Sequence, residues 1–152
     1  MKTVGVMAVA LLIAGCAEDR LCAEVLPVEG VLIRVQNLSP PDNGVVNLRA
    51  PPEYTVDLVA DGTALSIPLR IGGTATQDHV TATSEYLGDA FIVSNIDSDG
   101  QIHGGPAEVE VTLNHFGVMI AQDTFRPAYK MVEVNGHGCG VSTQAFVTLV
   151  AP

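Results

Sequence analysis

Glu108-Val109-Glu110-Val111-Thr112-Leu113 decides how this chain folds. Successive side chains of an extended strand point to opposite faces. Val109, Val111 and Leu113 therefore share one side, and Glu108, Glu110 and Thr112 share the other. A period of two with this polarity is that of a strand with one face buried and one in water. Gly104-Gly105-Pro106 breaks the chain before it and Phe116-Gly117 turns the chain after it. Glu108 and Glu110 read most simply as the solvated face of that strand.

Working outward, the same pattern recurs in short pieces. Val31, Ile33 and Val35 alternate with Leu32, Arg34 and Gln36, and two prolines and Asn43-Gly44 lie beyond them. Val45 to Leu48 is short and apolar. Tyr54, Val56 and Leu58 alternate with Thr55 and Asp57, and Val59 breaks the period. Asp61-Gly62 is the next turn, followed by an extended run from Leu65 to Ile71. Pro68 marks that run as an edge or a broken strand, because proline donates no ladder hydrogen bond. Gly72 to His79 reads as a polar connection, Val80 to Thr83 as a weak strand and Ala90 to Ile96 as a stronger one. After the Val109 strand come Val118 to Ala121, Tyr129 to Val134 and Ala145 to Val150. Eight or nine short strands separated by Gly, Pro, Asn and Asp favour an all-β fold over a βαβ one. The expectation is an antiparallel β-sandwich of about eight strands, preferred to a closed barrel because Pro68 blunts a visible edge.

Gly105-Pro106-Ala107 leading into Val109–Leu113, followed by His115-Phe116-Gly117, resembles a carboxypeptidase regulatory-like (transthyretin-like) sandwich module. Asn135-Gly136-His137-Gly138-Cys139 before a Thr/Val-rich last strand is similar to the end of small bacterial lipoproteins that carry such modules. Phe116-Gly117 departs from the family's Gly-Tyr order, and Gly100-Gln101-Ile102 replaces its Gly-x-Phe, so an immunoglobulin-like sandwich stands beside this resemblance. Neither family implies catalysis. Such modules support folding, contact a partner or bind a ligand weakly.

The N-terminus carries a different signal. Lys2 precedes an apolar run from Val4 to Ala14 that ends in Ile13-Ala14-Gly15-Cys16. The run is too short to cross a bilayer as a helix, which takes about 20 residues, but it suits a secretory h-region. The block resembles a bacterial lipoprotein signal with its lipobox. The resemblance implies cleavage before Cys16, a diacylglyceryl group on its sulfur and N-acylation. Residues 1–15 are then signal peptide, 16–27 a lipidated tether and 28–152 the sandwich domain. Two or three acyl chains anchor stably where one does not. Ala17, where an Asp would retain the protein at the inner membrane, makes the outer membrane the expected destination. The alternative is a plain secretory signal with a structural cysteine.

Once Cys16 carries lipid, Cys22 and Cys139 remain, and an oxidising compartment leaves them one intramolecular pairing. Such a long-loop disulfide would contribute about 4–5 kcal/mol in the chain-entropy account. There is no C-x-x-C pair to suggest redox catalysis. Seven basic residues stand against seventeen acidic ones. Loss of Lys2 takes the mature net charge from -10 to -11. That balance argues against nucleic acid, whose phosphates demand positive charge. Membrane contact is therefore expected through the lipid on Cys16, with an envelope protein as partner.

Few residues suggest chemistry. Asn95-x-Asp97-x-Asp99-Gly100 resembles the first half of an EF-hand calcium loop, with hard oxygen ligands ahead of a turn glycine. The twelfth position, which should be a bidentate glutamate, is Pro106, and Glu108 comes two residues late. A solvated hairpin turn explains the same residues. His79, His103, His115 and His137 share no metal-ligand spacing, although His103, His137 and Asp97 or Asp99 could converge on Zn²⁺ or Cu²⁺. There is no G-x-S-x-G elbow. Aromatic residues make up only 5 % with no Trp, which thinly provides a sugar-stacking platform. The expectation is a non-catalytic, lipid-anchored interaction or structural module without a cofactor. A metal- or small-ligand-binding lipoprotein is the first alternative and an envelope hydrolase the second.

Overall fold

The computed structural model describes residues 29–38, 53–70, 72–84, 89–133 and 140–152. They form ten strands: β1 Gly30–Gln36, β2 Tyr54–Ala60, β3 Thr63–Pro68, β4 Thr74–Gln77, β5 Val80–Ser84, β6 Ala90–Asn95, β7 Val109–His115, β8 Val118–Phe125, β9 Lys130–Glu133 and β10 Val141–Val150. A six-stranded sheet runs β4-β5-β6-β1-β10-β9, and a four-stranded sheet runs β3-β2-β7-β8. The protein is an all-β sandwich with no helix among the described residues.

The alternation read from the sequence decides which side of each strand is buried. In β7, Val109, Val111 and Leu113 are fully buried while Glu110 is exposed. Val31, Ile33 and Val35 of β1 and Phe91 and Val93 of β6 face them from the larger sheet, with Val56 and Leu58 of β2 beside β7. Each such side chain contributes about 1.5–3 kcal/mol on leaving water. Val59, the residue that broke the period of β2, is 41 % exposed and faces outward in register with Glu110. Pro68 lies at the end of β3, an edge strand, where its missing N–H costs no ladder bond.

Three features depart from the sequence expectation. The segment Thr74–Gln77, read as a polar connection, is strand β4. It lacks apolar alternation because it is held by its partner β5, where Thr74 and Thr83 hydroxyls lie 2.8 Å apart and Thr76 and Thr81 hydroxyls 2.9 Å apart. Strands β8 and β10 are longer than their apolar cores, since backbone pairing carries them through polar residues. The sheets are also not purely antiparallel: β1 and β10 pair in parallel from Gly30↔Gln144 to Gln36↔Val150. Parallel neighbours need a long connection, and here most of the domain supplies it.

The register fixes two ends. Gly30 starts β1 beside Val93 and Gln144. A Cβ built on Gly105 would come within 2.9 Å of the Gly30 Cα, so the connection leading into Val109 starts at that end too. Strand β7 then runs away from it, and its last residue, His115, lies about 20 Å off by strand rise. The segments Val45–Leu48, His137–Cys139, Cys16 and Cys22 lie outside the described residues.

Candidate functional site

The far end of the smaller sheet holds an aromatic cluster built on the β7–β8 hairpin. His115 and Val118 are paired, so Phe116-Gly117 is a two-residue loop. Both loop residues have positive φ, 48° and 78°. This is the mirror-image turn that matches strand twist and that normally takes Asn-Gly. Glycine fits at 117. A phenylalanine in the left-handed region at 116 costs about 1–2 kcal/mol, and its ring is 75 % exposed. Val118 and Met119 continue the apolar surface at 65 % and 59 % exposure.

Beneath the tip, Tyr54 and His115 are cross-strand partners, with ring centroids 4.4 Å apart and planes 15° from parallel. His115 also touches Phe116 at 4.6 Å and 39°. Glu53 clamps the tip twice: its carbonyl accepts the Phe116 N–H at 2.9 Å, and its Oε1 lies 2.7 Å from His115 Nε2. The carboxylate fixes the imidazole, and the imidazole supports both rings. The arrangement provides a rigid, half-polar platform under an exposed apolar tip, the composition of a contact surface.

The residues singled out from the sequence lie at the other end. Asp97 Oδ1 accepts the backbone N–H groups of Asp99 and Gln101, each at 2.9 Å, and the Asp97 carbonyl accepts from Gly100 at 3.0 Å. The carboxylate is thus engaged by its own turn, as the hairpin reading requires. Asn95 closes β6, with a buried Oδ1 that has no hydrogen-bond partner. His103 is exposed, and its N–H donates to the Asn95 carbonyl. Pro106, in the twelfth position of the calcium-loop comparison, is fully buried, and Glu108 pairs with Arg126 Nε at 2.8 Å. Among the described residues no three His, Cys, Asp or Glu side chains form a group that could hold a metal ion. His137, Cys16, Cys22 and Cys139 lie outside the described residues.

Two further carboxylates line an open depression of about 420 Å³ on the outer face of the smaller sheet, with Val59, Ser66, Gln77 and Thr112. Asp57 Oδ2 accepts from Asn114 Nδ2 at 2.8 Å, and Glu110 Oε1 accepts from Gln122 Nε2 at 2.6 Å. Tyr129, near Gly30, donates its hydroxyl to the Pro106 carbonyl at 2.8 Å. Burial, and secondarily the charge of Asp61, raises its pKa to about 12.

His115-Phe116-Gly117 is legible in the sequence as a turn but the cluster is not, because Glu53 and Tyr54 join it only through the register of β2 with β7. The readable signal was Phe where an Asn is normal before the turn glycine. No protein family, curated protein or solved structure matches this chain significantly.

Proposed function

We propose that this is a non-catalytic cell-envelope protein, anchored by lipid on Cys16, most simply in the outer membrane, and acting as an interaction module. The single observation that carries the reading is the β7–β8 tip: Phe116 sits strained and exposed on a clamped platform of Tyr54, His115 and Glu53. Strain that the surrounding structure holds in place marks sites of function more often than of stability. The partner is an envelope protein. The polar tether begins at a lipid-bearing Cys16, and the sandwich begins at Gly30, the end opposite the tip. Kinship with transthyretin-like or immunoglobulin-like sandwiches, and a Cys22–Cys139 disulfide, belong to the same proposal.

Two measurements test it. The intact mass of detergent-extracted protein from its native host should begin at Cys16 with added acyl chains and gain two hydrogens on reduction. A photo-crosslinker in place of Phe116 should capture a specific envelope protein in intact cells, whereas one in place of His103 should not. An unlipidated mass removes the anchor, and equal capture from both positions removes the tip.

A further inference from the structure

We infer that the open edge of β8 is a strand-addition site for an extended, basic segment of a partner, with Asp123 as the residue that selects it. The inference rests on the interaction-module reading but uses a different surface from the Phe116 tip. Among the described residues, β8 is the outer strand of the smaller sheet and pairs with β7 alone. Its eight residues include no Pro, Lys or Arg, the residues that usually blunt an edge.

The direction of the edge groups follows from β7. The Glu108 carbonyl accepts from Asp61 and the Phe116 N–H donates to Glu53, so even-numbered positions along β7 turn their backbone groups toward β2. Antiparallel ladders alternate, so Val109, Val111 and Leu113 turn theirs toward β8. Their partners are Phe125, Asp123 and Ala121. Gln122, opposite Thr112, turns its N–H and carbonyl to the open edge, and Thr124, opposite Glu110, turns its carbonyl there, its N–H being held by Asp123 Oδ1. The register shift between Leu113 and Asn114 places Met119, opposite Asn114, in the same orientation. Only an extended chain matches such a row of donors and acceptors.

Asp123 sits at the centre of this edge. Its register with Val111 puts it on the core side of β8, yet it is exposed, and its Oδ1 accepts the Thr124 N–H at 2.7 Å. A charge pointing inward from an edge strand is a guard against unwanted pairing. The guard is specific against a second copy of this chain. The two-fold antiparallel register that joins Gln122 of each copy to Thr124 of the other sets the two Asp123 residues face to face, Cα atoms about 4.5 Å apart. Like charges directly opposite destabilise a strand pair and opposite charges stabilise it. A Lys or Arg at that position turns the veto into an attraction. The basic Arg126, which follows β8, is bound to Glu108 on the opposite face.

The test uses the full chain, isotope-labelled, and two acetylated, amidated heptapeptides, Thr-Val-Thr-Lys-Thr-Val-Thr and its counterpart with central Glu. The lysine peptide should slow amide exchange at Met119 and Gln122 and bind roughly tenfold tighter than the glutamate peptide. Asp123→Lys should invert the preference. Gln122→Pro removes an edge N–H without touching the β7 ladder, and it should abolish binding with the fold intact. Equal affinities, a footprint away from β8, no binding of either peptide at millimolar concentration, or binding that survives Gln122→Pro would each overturn the inference. So would dimerisation of the unaltered chain through β8 at micromolar concentration. None of these outcomes bears on crosslinking from Phe116, so the two readings fail separately.

Discussion

Replacing Phe116 with Asn should make this protein more stable and, on the reading above, less functional. Phe116 holds φ at 48°, where an aromatic residue costs about 1–2 kcal/mol relative to its normal region. Asparagine enters that region readily and is the preferred first residue of a two-residue turn ending in glycine. Against this gain stands the loss of the ring. At 75 % exposure the ring buries little surface, and its main contact is the tilted one with His115 at 4.6 Å. A pair of that kind is worth about 0.5–1.5 kcal/mol. The central values leave a net stabilisation of about 0.5 kcal/mol, or a rise in Tm of about 1–3 °C for a domain of this size. Thermal unfolding followed by circular dichroism reads this directly, and crosslinking from Val118 reads partner contact in the same variant. Stability up with capture down is the signature of a strained residue kept for binding. A lower Tm for Phe116→Asn would mean that the ring secures the hairpin, and the argument from strain would be lost.

Substitutions at three other positions probe the end near Gly30. Gly30 has φ of 124°, and an added Cβ would collide with the Val93 carbonyl oxygen and the Ser94 hydroxyl, so Gly30→Ala should cost at least about 2 kcal/mol in denaturant unfolding. An unchanged midpoint would mean that the β1–β6 contact is looser than described. Asp61 accepts the N–H groups of Ala107 and Glu108, both at 3.0 Å, from a positive φ of 47°. Asp61→Ala loses both bonds and the favoured turn residue, about 2 kcal/mol, while Asp61→Asn should cost about half as much. Equal losses would remove the bonds from the explanation. Tyr129 should govern alkaline stability. Its pKa is 10.0 when unfolded and about 12 when folded, so the unfolded chain releases the proton first. Stability is therefore full below pH 10 and falls as the pH rises from 10 toward 12. In Tyr129→Phe that part of the pH dependence should vanish, and a difference between the two proteins that does not change over the window would refute the assignment.

The fold was legible where burial is one-sided. Val109–Leu113 and Val31–Val35 carry their orientation in the alternation of their own side chains, which is why both strands were readable without a partner. Thr74–Gln77 was not, because a polar edge strand owes its extended form to Thr81 and Thr83 across the hairpin. The parallel pairing of β1 with β10 leaves no local trace, since it joins residues more than a hundred positions apart. The Asp97 turn was legible for the opposite reason: every bond that Asp97 makes stays within four residues. The aromatic platform was not, because Glu53 and Tyr54 meet His115 only after β2 and β7 have found their register.

The two ends of the sandwich differ in how well their groups are satisfied, and that difference points the same way as the strain. Near Gly30 the turns close on themselves: Asp61 holds Ala107 and Glu108, Asp97 holds Asp99 and Gln101, and Tyr129 holds Pro106. Such turns gain stability locally and offer little to a partner, since any new contact must displace bonds already made. At the tip, Phe116, Val118 and Met119 keep apolar surface in water, and along β8 the backbone groups of Gln122 face outward. Apolar surface and open edge groups of this kind gain free energy when a partner covers them. A chain under selection for stability alone would place Asn at 116 and Lys along β8, as many turns and edges do. That this one does neither is the physical reason for proposing contact at the tip and the β8 edge.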